Sequence, residues 1–241
     1  MKISNKTILV TGSSKRIGKE IAFFLAKKNA KVIIHYNKSK VNAYKTYNHI
    51  KNNINPDCMI AKSNLESVIE NRNLIKKIIR KFGSLDIIIN NASIFNKINF
   101  NNTTQKVWDE HFNVNLRAPF ILAQELRKHL NNNPGKIINL NDWKTTRKSR
   151  FAYGVSKFSL SGLTKSLALE LSPSIQVNEI ALGAILPPSD MNKNDYNKTS
   201  DNFGPSKRMG ELSEINNLIE MLITNDYITG ETINLDGGRH L

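Results

Sequence analysis

The sequence is poor in cysteine and in long apolar runs. One cysteine, Cys58, occurs among 241 residues, so no disulfide forms within the chain, which predicts a reducing compartment, the cytoplasm. No run approaches the roughly 18 apolar residues that span a bilayer, and the first apolar run, 8–10, is too short for a signal-peptide core. The sequence therefore predicts a protein that has no membrane partner.

Segments rich in proline and glycine are also missing, because the 7 prolines and 12 glycines do not cluster into a linker. Apolar residues make up 39% of the chain, enough for a large core, so we expect a single domain over residues 1–241. One polar, turn-rich stretch, 187–210, has almost no core residues. A loop of that length inside a compact domain is typical of a substrate-covering loop.

Negative charge is scarce relative to positive charge. Lys and Arg number 35 against 20 Asp and Glu, which gives a formal net charge of +15. The basic residues are scattered from Lys2 to Arg239, without a block of like charges and without interleaved aromatic residues. This pattern indicates a solvated basic surface and no nucleic-acid partner.

Short β-branched runs alternate with stretches of helical period. The strands are predicted at 7–10, 31–36, 58–62, 85–90, 136–141, 175–180 and 232–235. Because these strands are nearly continuously apolar, the alternation predicts an α/β fold, a Rossmann-like doubly wound parallel sheet covered on both faces. Ligands of such sheets bind beyond the carboxyl ends of the strands.

A glycine-containing turn follows the first strand and leads directly into a helix. Gly12 permits a tight turn, Gly18 lets the helix pack close to the strand, and the free N–H groups at the helix start form an anion site. The phosphates of a dinucleotide are therefore predicted to bind at Gly12, Ser14, Lys15, Arg16, Ile17 and Gly18.

The end of the second strand distinguishes the two nicotinamide cofactors. NAD-binding folds place an acid there, and this chain has no carboxylate in the run that contains His35, Tyr36, Asn37 and Ser39. A 2′-phosphate, which an acid would repel, is expected to be held by Arg16, the Ser39 hydroxyl and nearby lysines. The sequence thus predicts NADPH as the cofactor.

Tyr153 and Lys157 lie at i and i+4 on the helix predicted after the fifth strand, so both side chains share one face. A nearby ammonium favours the phenolate, and we expect Lys157 to lower the pKa of Tyr153 towards a range that suits acid–base catalysis. Asp142 precedes this pair at the end of a strand. The three residues predict a proton-transfer site.

Five motifs occur in one order along nearly the whole chain. They are Thr-Gly-x-x-x-x-Ile-Gly at 11–18, Asn-Asn-Ala at 90–92, Asn115, Tyr-x-x-x-Lys at 153–157 and Asp-Gly-Gly at 236–238. This set resembles the short-chain dehydrogenase/reductase superfamily. The resemblance implies a seven-stranded sheet, NAD(P)-linked hydride transfer and a homotetramer. It also implies that Tyr153 donates a proton, Lys157 binds the nicotinamide ribose and Asn115 holds a relay water.

Two positions depart from most of that superfamily, since Asp142 stands where Ser is usual and Ser93 where Gly is usual. With the Lys-Arg-x-Gly end of the phosphate loop, these positions resemble the pteridine reductase branch, which includes the bacterial dihydromonapterin reductases. An Asp–Tyr pair suits delivery of a proton to a ring nitrogen, and Phe95 is expected to stack on a pterin. The resemblance implies that the substrate contacts Arg16, Ser93, Phe95, Asp142 and Tyr153.

The remaining cofactor contacts are implied by the resemblance alone. They are Asn64 and Leu65 at the adenine, Asn91, Ala92 and Ser93 after the fourth strand, and Gly183, Ala184 and Ile185 at the nicotinamide carboxamide, together with Tyr153 and Lys157. No His, Cys and Asp residues have the spacing of metal ligands, so no metal is predicted.

The sequence therefore favours an NADPH-dependent reductase of a small pterin-like substrate, such as dihydromonapterin, dihydrobiopterin or a dihydrofolate. Two alternatives stay open. One is an NADPH-dependent carbonyl reductase, for instance of 3-oxoacyl thioesters, in which Ser is expected at 142. The other is an NADP-binding regulatory protein without turnover.

Overall fold

Seven parallel strands form one sheet in the computed structural model, which describes residues 1–187 and 203–241. They are β1 (Thr7–Val10), β2 (Lys31–Tyr36), β3 (Cys58–Lys62), β4 (Ile87–Asn90), β5 (Gly135–Asp142), β6 (Ile175–Leu182) and β7 (Thr232–Leu235), in the order β3-β2-β1-β4-β5-β6-β7. Every residue of β1 and β4 is buried, as expected for strands covered on both faces. The predicted Rossmann-like α/β sheet is confirmed.

Helices cover both faces of this sheet. One layer contains α1 (Arg16–Lys27), α2 (Lys40–Asn53) and α7 (Leu212–Thr224), and the other contains α3 (Val68–Phe82), α5 (Ala118–Leu130) and α6 (Phe151–Leu171). A further helix, α4 (Gln105–Phe112), continues through a π-helical turn (Asn113–Arg117) into α5. Adjacent strand residues face opposite layers, since Ile8 packs with Leu25 of α1 and Leu9 packs with Leu122 of α5.

Three strands differ in length from the prediction. β4 begins two residues later, whereas β5 and β6 extend to Asp142 and Leu182. The delay in β4 follows from Asp86, whose carboxylate accepts hydrogen bonds from the Thr7 N–H at 2.8 Å and from Lys6 Nζ at 3.0 Å. The longer β5 matters for function because Asp142 pairs with Leu182 in the last rung of the β5–β6 ladder.

The carboxyl ends of the strands lie at one edge of the sheet, and the strand order reverses direction between β1 and β4. The turns that carry the predicted site follow these ends, as they do in other doubly wound sheets. Of the predicted covering loop at 187–210, residues 188–202 lie outside the described residues. Within the described part, none of the helices has the length and apolar composition required to cross a membrane.

Candidate active site

The turn between β1 and α1 is built from backbone and clamped by Asn91. Gly12 lies in the left-handed region, with φ at +65°, which favours glycine. The Asn91 Nδ2 group donates to the carbonyls of Thr11 at 2.8 Å and Gly12 at 3.2 Å. A Cβ on Gly18 would meet this amide and would lie 2.7 Å from the Gly12 carbonyl oxygen. No side chain fits at Gly18, so the turn stays open for a ligand.

His35 supports this turn from inside the protein. Its Nδ1 accepts a hydrogen bond from the Gly12 N–H at 3.0 Å, so the proton is on Nε2, which lies 3.1 Å from the Ser63 carbonyl. Complete burial lowers the pKa of His35 to about 4, so the ring is neutral near pH 7. Because both ring nitrogens are engaged within the protein, His35 shapes the turn and offers a ligand only its carbon surface.

A cavity of about 460 Å³ opens beside the turn, which is within the size range of small-ligand sites. Most predicted cofactor residues line it: Gly12, Ser14, Lys15, Arg16, Ile17, Gly18, His35, Tyr36, Asn37, Ser39, Leu65, Asn91, Ala92 and Ser93. The sequence analysis missed Glu66, Ile94 and Val114, which also line it. They come from two loops and a helical turn, and no spacing rule indicates how these segments approach one another.

The end of β2 carries positive and neutral groups towards this cavity. Lys38 and Ser39 are in its lining, and Asn37 Nδ2 donates to Asn64 Oδ1 at 3.2 Å. The same oxygen accepts from the Glu66 N–H at 3.2 Å, so Asn64 organises the rim. Among the described lining residues, the only carboxylate is Glu66, which follows β3 rather than β2. This arrangement fits a 2′-phosphate.

Arg16 links the phosphate turn to the loop after β6. Its backbone is left-handed, with φ at +56°, and its Nη2 donates to the Pro187 carbonyl at 2.7 Å. The guanidinium therefore reaches from the cofactor cavity to the first residue of the predicted covering loop.

Asp142 and Tyr153 form the centre of the catalytic candidates. The Tyr153 hydroxyl donates to Asp142 Oδ2 at 2.8 Å. The other carboxylate oxygen accepts from Arg147 Nη2 at 2.7 Å and from the Lys144 N–H at 2.9 Å. With three donors in contact, one of them a guanidinium, the carboxylate acts as an acceptor and the tyrosine carries the shared proton. Arg147 lies in the β5–α6 loop and was not predicted.

The pKa of Tyr153 shifts in the direction opposite to the prediction. Burial of the phenol, together with the charge and hydrogen bond of Asp142, raises its pKa well above the usual value for tyrosine. Arg147 and Arg150 lower it in part. The predicted net lowering of the Tyr153 pKa is therefore wrong, because burial and the carboxylate in direct contact with the phenol outweigh the nearby positive charges.

Lys157 is a buried cation, 4% exposed, on the same face of α6 as Tyr153. Its Nζ donates to the Leu140 carbonyl at 2.7 Å. Burial lowers the pKa of Lys157 to about 8, and the charges of Glu179 and Asp142 oppose that shift. Lys157 is therefore mostly protonated at pH 7 and close to its titration range.

Asn115 lies in the π-helical turn and joins two parts of the site. Its Oδ1 accepts from the Ile94 N–H at 2.9 Å, and its Nδ2 donates to the Ile94 carbonyl at 3.2 Å and to Ser156 Oγ at 3.0 Å. The side chain thus fixes the loop after β4 to α6. This contact sets the position of Phe95, the next residue along the loop.

Phe95 lies at the mouth of the site beside the candidate proton donor. It is 43% exposed, and its ring meets Tyr153 edge to face, with the centroids 4.5 Å apart. The Arg150 guanidinium lies 3.6 Å from the centroid of Phe95, and its Nη1 donates to the Phe95 carbonyl at 2.6 Å. Ser93 is exposed on the same loop. The Phe95 ring thus contacts the candidate donor, and the Arg150 guanidinium lies over that ring.

Comparison with known proteins assigns the chain to a family. Residues 6–199 match the short chain dehydrogenase family. The chain belongs to the short-chain dehydrogenases. A 3-oxoacyl-[acyl-carrier-protein] reductase FabG of Staphylococcus epidermidis is 33% identical over 250 residues, covering 98% of this chain and all of the relative. A FabG of Buchnera aphidicola is also 33% identical, with both chains fully covered.

Solved structures of similar chains include a second kind of enzyme. The FolM alternative dihydrofolate reductase 1 of Brucella canis, complexed with NADP, is 34% identical, with a TM-score of 0.90 over 100% of this chain and 96% of that one. A short chain dehydrogenase of Burkholderia cenocepacia in complex with NADP is 27% identical, with a TM-score of 0.89 and full coverage of both chains.

In this short-chain dehydrogenase, the first residues of the loop after β6 are not part of the lining of the phosphate cavity. Ala184 and Ile185 are buried, and Gly183 packs against Asp236, whose Cα would lie 2.5 Å from a Cβ at Gly183. Gly183, Ala184 and Ile185 do not line the 460 Å³ cavity. Trp143 follows β5, and the guanidinium of the tail residue Arg239 lies over its ring, 4.5 Å from the centroid. In residues 1–187 and 203–241, no group of three acidic, His or Cys side chains is arranged to hold a metal.

Proposed function

We propose that this short-chain dehydrogenase is an NADPH-dependent reductase of a dihydropterin and adds a hydride to a ring C=N bond. The observation that carries the proposal is the 2.8 Å hydrogen bond from the Tyr153 hydroxyl to the Asp142 carboxylate, with Phe95 packed against the same tyrosine. The similarity to FolM alternative dihydrofolate reductases of Brucella supports a substrate with a pterin ring.

The cofactor is NADP(H). The phosphate turn presents the start of α1 to the cavity, and Lys38 and Ser39 lie where a 2′-phosphate belongs. Three of the similar structures contain NADP, in agreement with the prediction made from the sequence. When bound, the reduced nicotinamide supplies the hydride, and the protein must supply the accompanying proton.

Tyr153 holds that proton. Because its pKa is raised, the phenol remains protonated over the working pH range and serves as an acid. Transfer of the proton to the ring nitrogen leaves a phenolate beside the Asp142 carboxylate, which is an unfavourable pair. Arg147 and Arg150, the two charges that lower the pKa of Tyr153, stabilise that phenolate, and Lys157 contributes a third positive charge to the pocket.

Phe95 and Arg150 provide the recognition surface for the heterocycle. An exposed phenyl ring at the pocket mouth offers a stacking surface for a flat substrate, and the guanidinium contributes a second planar group. Arg16, whose guanidinium donates to the Pro187 carbonyl at 2.7 Å, lies at the start of the predicted covering loop. These groups favour a planar, hydrogen-bonding substrate over a flexible acyl chain.

Reduction of a 3-oxoacyl thioester is the second candidate. The FabG relatives from Staphylococcus and Buchnera, both 33% identical across nearly the whole chain, favour this second candidate. Asp142 argues against it, because a carbonyl oxygen that gains negative charge is poorly placed beside a carboxylate.

A direct assay separates the two candidates. The purified protein is mixed with NADPH, and the loss of reduced-nicotinamide absorbance is followed with dihydrobiopterin, dihydromonapterin, dihydrofolate or an acetoacetyl thioester. We expect turnover with at least one dihydropterin. Turnover with the thioester alone supports the second candidate, and tight NADPH binding without turnover of any substrate supports a regulatory protein.

The substitution Asp142→Ser sharpens the same distinction. It removes the carboxylate that accepts the Tyr153 hydrogen bond but leaves the phosphate cavity intact, so dihydropterin turnover should fall about 100-fold with little change in NADPH affinity. The measurement is kcat together with the NADPH dissociation constant from fluorescence. An equal fall in both would assign Asp142 a structural role.

We also propose that the protein is a homo-oligomer, a homotetramer by resemblance. Large apolar side chains on the outer faces of α5 and α6 are exposed, including Phe158 at 65% and Leu169 at 84%. A charge on this surface should weaken association, so Phe158→Glu should reduce the mass measured by light scattering. Tyr227→Glu, at an exposed residue outside these helices, is the matched control, and an unchanged mass in both variants would contradict the proposed surface.

We further propose a cytoplasmic location. The cysteine of the chain, Cys58, is buried and free in the structure, and a reducing compartment keeps such a thiol reduced. Fractionation of expressing cells, with detection by an antibody against the chain, tests this assignment.

A further inference from the structure

Glu179 is a buried carboxylate that the proposed mechanism leaves without a role. It lies in the middle of β6 and is 1% exposed. A carboxylate removed from water is costly unless hydrogen bonds and an opposite charge compensate for the lost hydration. The residues around Glu179 therefore show which groups compensate for the lost hydration of its carboxylate.

Three hydroxyl groups satisfy the oxygens of Glu179. Ser161 Oγ donates to Oε1 at 2.7 Å, Thr232 Oγ1 donates to Oε1 at 3.2 Å, and Thr164 Oγ1 lies 3.3 Å from Oε2. Hydroxyl groups supply hydrogen bonds but no charge. The negative charge of Glu179 therefore still requires a cation within the buried region.

Lys157 is the buried cation on the facing helix. It precedes Ser161 by one turn of α6, and Asn141 Nδ2 connects the two by donating to the Lys157 carbonyl at 2.9 Å and to Ser161 Oγ at 3.0 Å. The ammonium donates to the Leu140 carbonyl, which is also uncharged. Asn139 pairs in register with Glu179, and its Nδ2 donates to Thr164 Oγ1 at 2.8 Å, so β5 and β6 turn polar side chains towards α6.

We propose that Glu179 is the buried counter-charge of Lys157, a positioning residue that keeps this ammonium charged and in place behind Tyr153. The inference rests on the proposed function only in assigning Lys157 to the active site. The pairing itself is a property of the folded chain and is measurable without substrate.

The electrostatics of Lys157 agree with this pairing. The charges that act on the ammonium are those of Glu179 from β6 and Asp142 from β5, and the buried phenol of Tyr153 lies one turn earlier on α6. Burial lowers the pKa of Lys157 to about 8, and Glu179 opposes that shift more strongly than Asp142 does. Asp142 also shares its charge with Arg147 at 2.7 Å. Loss of the Glu179 charge should therefore lower the pKa of Lys157 further.

The test is a titration of Lys157 in the cofactor-free protein. Lysine is labelled with ¹³C, and the resonance of Lys157 is assigned by its loss in Lys157→Met. We expect a midpoint near 8 in the unsubstituted protein. In Glu179→Gln the midpoint should fall by about one pH unit or more. The same change at an exposed glutamate, Glu231→Gln, should leave the midpoint unchanged.

Two further variants separate charge from structure. Ser161→Ala removes the hydrogen-bonding neighbour but keeps the carboxylate, so the Lys157 midpoint should remain near that of the unsubstituted protein. Glu179→Leu removes the charge with an apolar side chain of similar size and serves if the amide variant folds poorly. An unchanged midpoint in the charge-removing variants, or an equal shift in Ser161→Ala, would overturn the proposal.

Activity gives an independent readout. If Lys157 must be charged for turnover, the alkaline limb of the kcat profile should move to lower pH in Glu179→Gln and stay in place in Glu231→Gln. If the protein turns over no dihydropterin, the proposed function fails while the NMR titration still decides the pairing. If the NMR midpoint does not move, the pairing fails whatever the substrate is.

Discussion

The cofactor end and the catalytic end of this sheet are built in different ways. At the turn after β1 the groups presented to a ligand are mainly backbone, and Gly18 and the neutral ring of His35 matter because they add neither bulk nor charge. At the ends of β5 and β6, charged side chains are buried or nearly so, and Asp142 and Lys157 each depend on particular partners. The first region should be sensitive to added volume and the second to changes in charge.

The largest effect is expected for Tyr153→Phe, which keeps the ring and removes the proton. Turnover should fall by about 10²- to 10⁴-fold because no other group donates to the same position, whereas NADPH affinity should not change. Steady-state kinetics and fluorescence titration measure the two quantities. Tyr227→Phe, at an exposed tyrosine, is the control. Retained turnover in Tyr153→Phe would show that the proton comes from elsewhere.

The contrast between the two regions also explains what the sequence predicts well. The phosphate turn follows from local rules, because two glycines at fixed offsets between a strand and a helix determine its backbone. The sequence also placed seven strands correctly to within two residues, since their apolar runs are continuous. The role of His35 did not follow, because a strand pattern does not indicate which nitrogen of a buried ring meets which backbone group.

The catalytic end was predicted less completely. The sequence predicts that Asp142, Tyr153 and Lys157 lie at one edge of the sheet. The direction of the tyrosine pKa shift, however, depends on which charged group contacts the phenol. Arg147 lies in an irregular loop, where no periodicity locates a side chain. Glu179 is recognisable in the sequence as an acid inside an apolar strand. A buried acid in such a strand indicates a compensating partner and a candidate functional group.

The next largest effect is expected at the cofactor end, where a change of pH should alter the free energy of unfolding through His35. Because the pKa of His35 is depressed to about 4 from 6.5, the unfolded chain binds a proton between these values and the folded protein does not. The free energy of unfolding should therefore fall as the pH decreases from about 6.5 to about 4, and His35 alone should contribute about 3 kcal/mol of this loss. Urea unfolding at several pH values measures it.

The comparison variant for that titration is His35→Asn, whose Oδ1 replaces the Nδ1 acceptor without a titratable ring. Its unfolding free energy should depend less on pH over the same interval, because unfolding of this variant takes up one proton fewer. His49→Asn, at an exposed histidine on α2, should behave like the unsubstituted protein. An identical pH dependence in all three proteins would mean that His35 is not neutral and buried as the structure indicates.

The smallest effects are expected when a single methyl group is added at two glycines. Gly18→Ala places a Cβ against the Asn91 amide and the Gly12 carbonyl, so the turn must shift, which should cost about 1 to 3 kcal/mol and weaken NADPH binding. Gly162→Ala adds the same methyl group in the middle of α6, where nothing lies within 4 Å, and should stabilise the protein by about 0.5 to 1 kcal/mol. Thermal unfolding measures the stability of both variants, and NADPH titration measures their cofactor affinity. If Gly18→Ala bound NADPH normally, the cofactor end would tolerate added volume, and the contrast with the catalytic end would not hold.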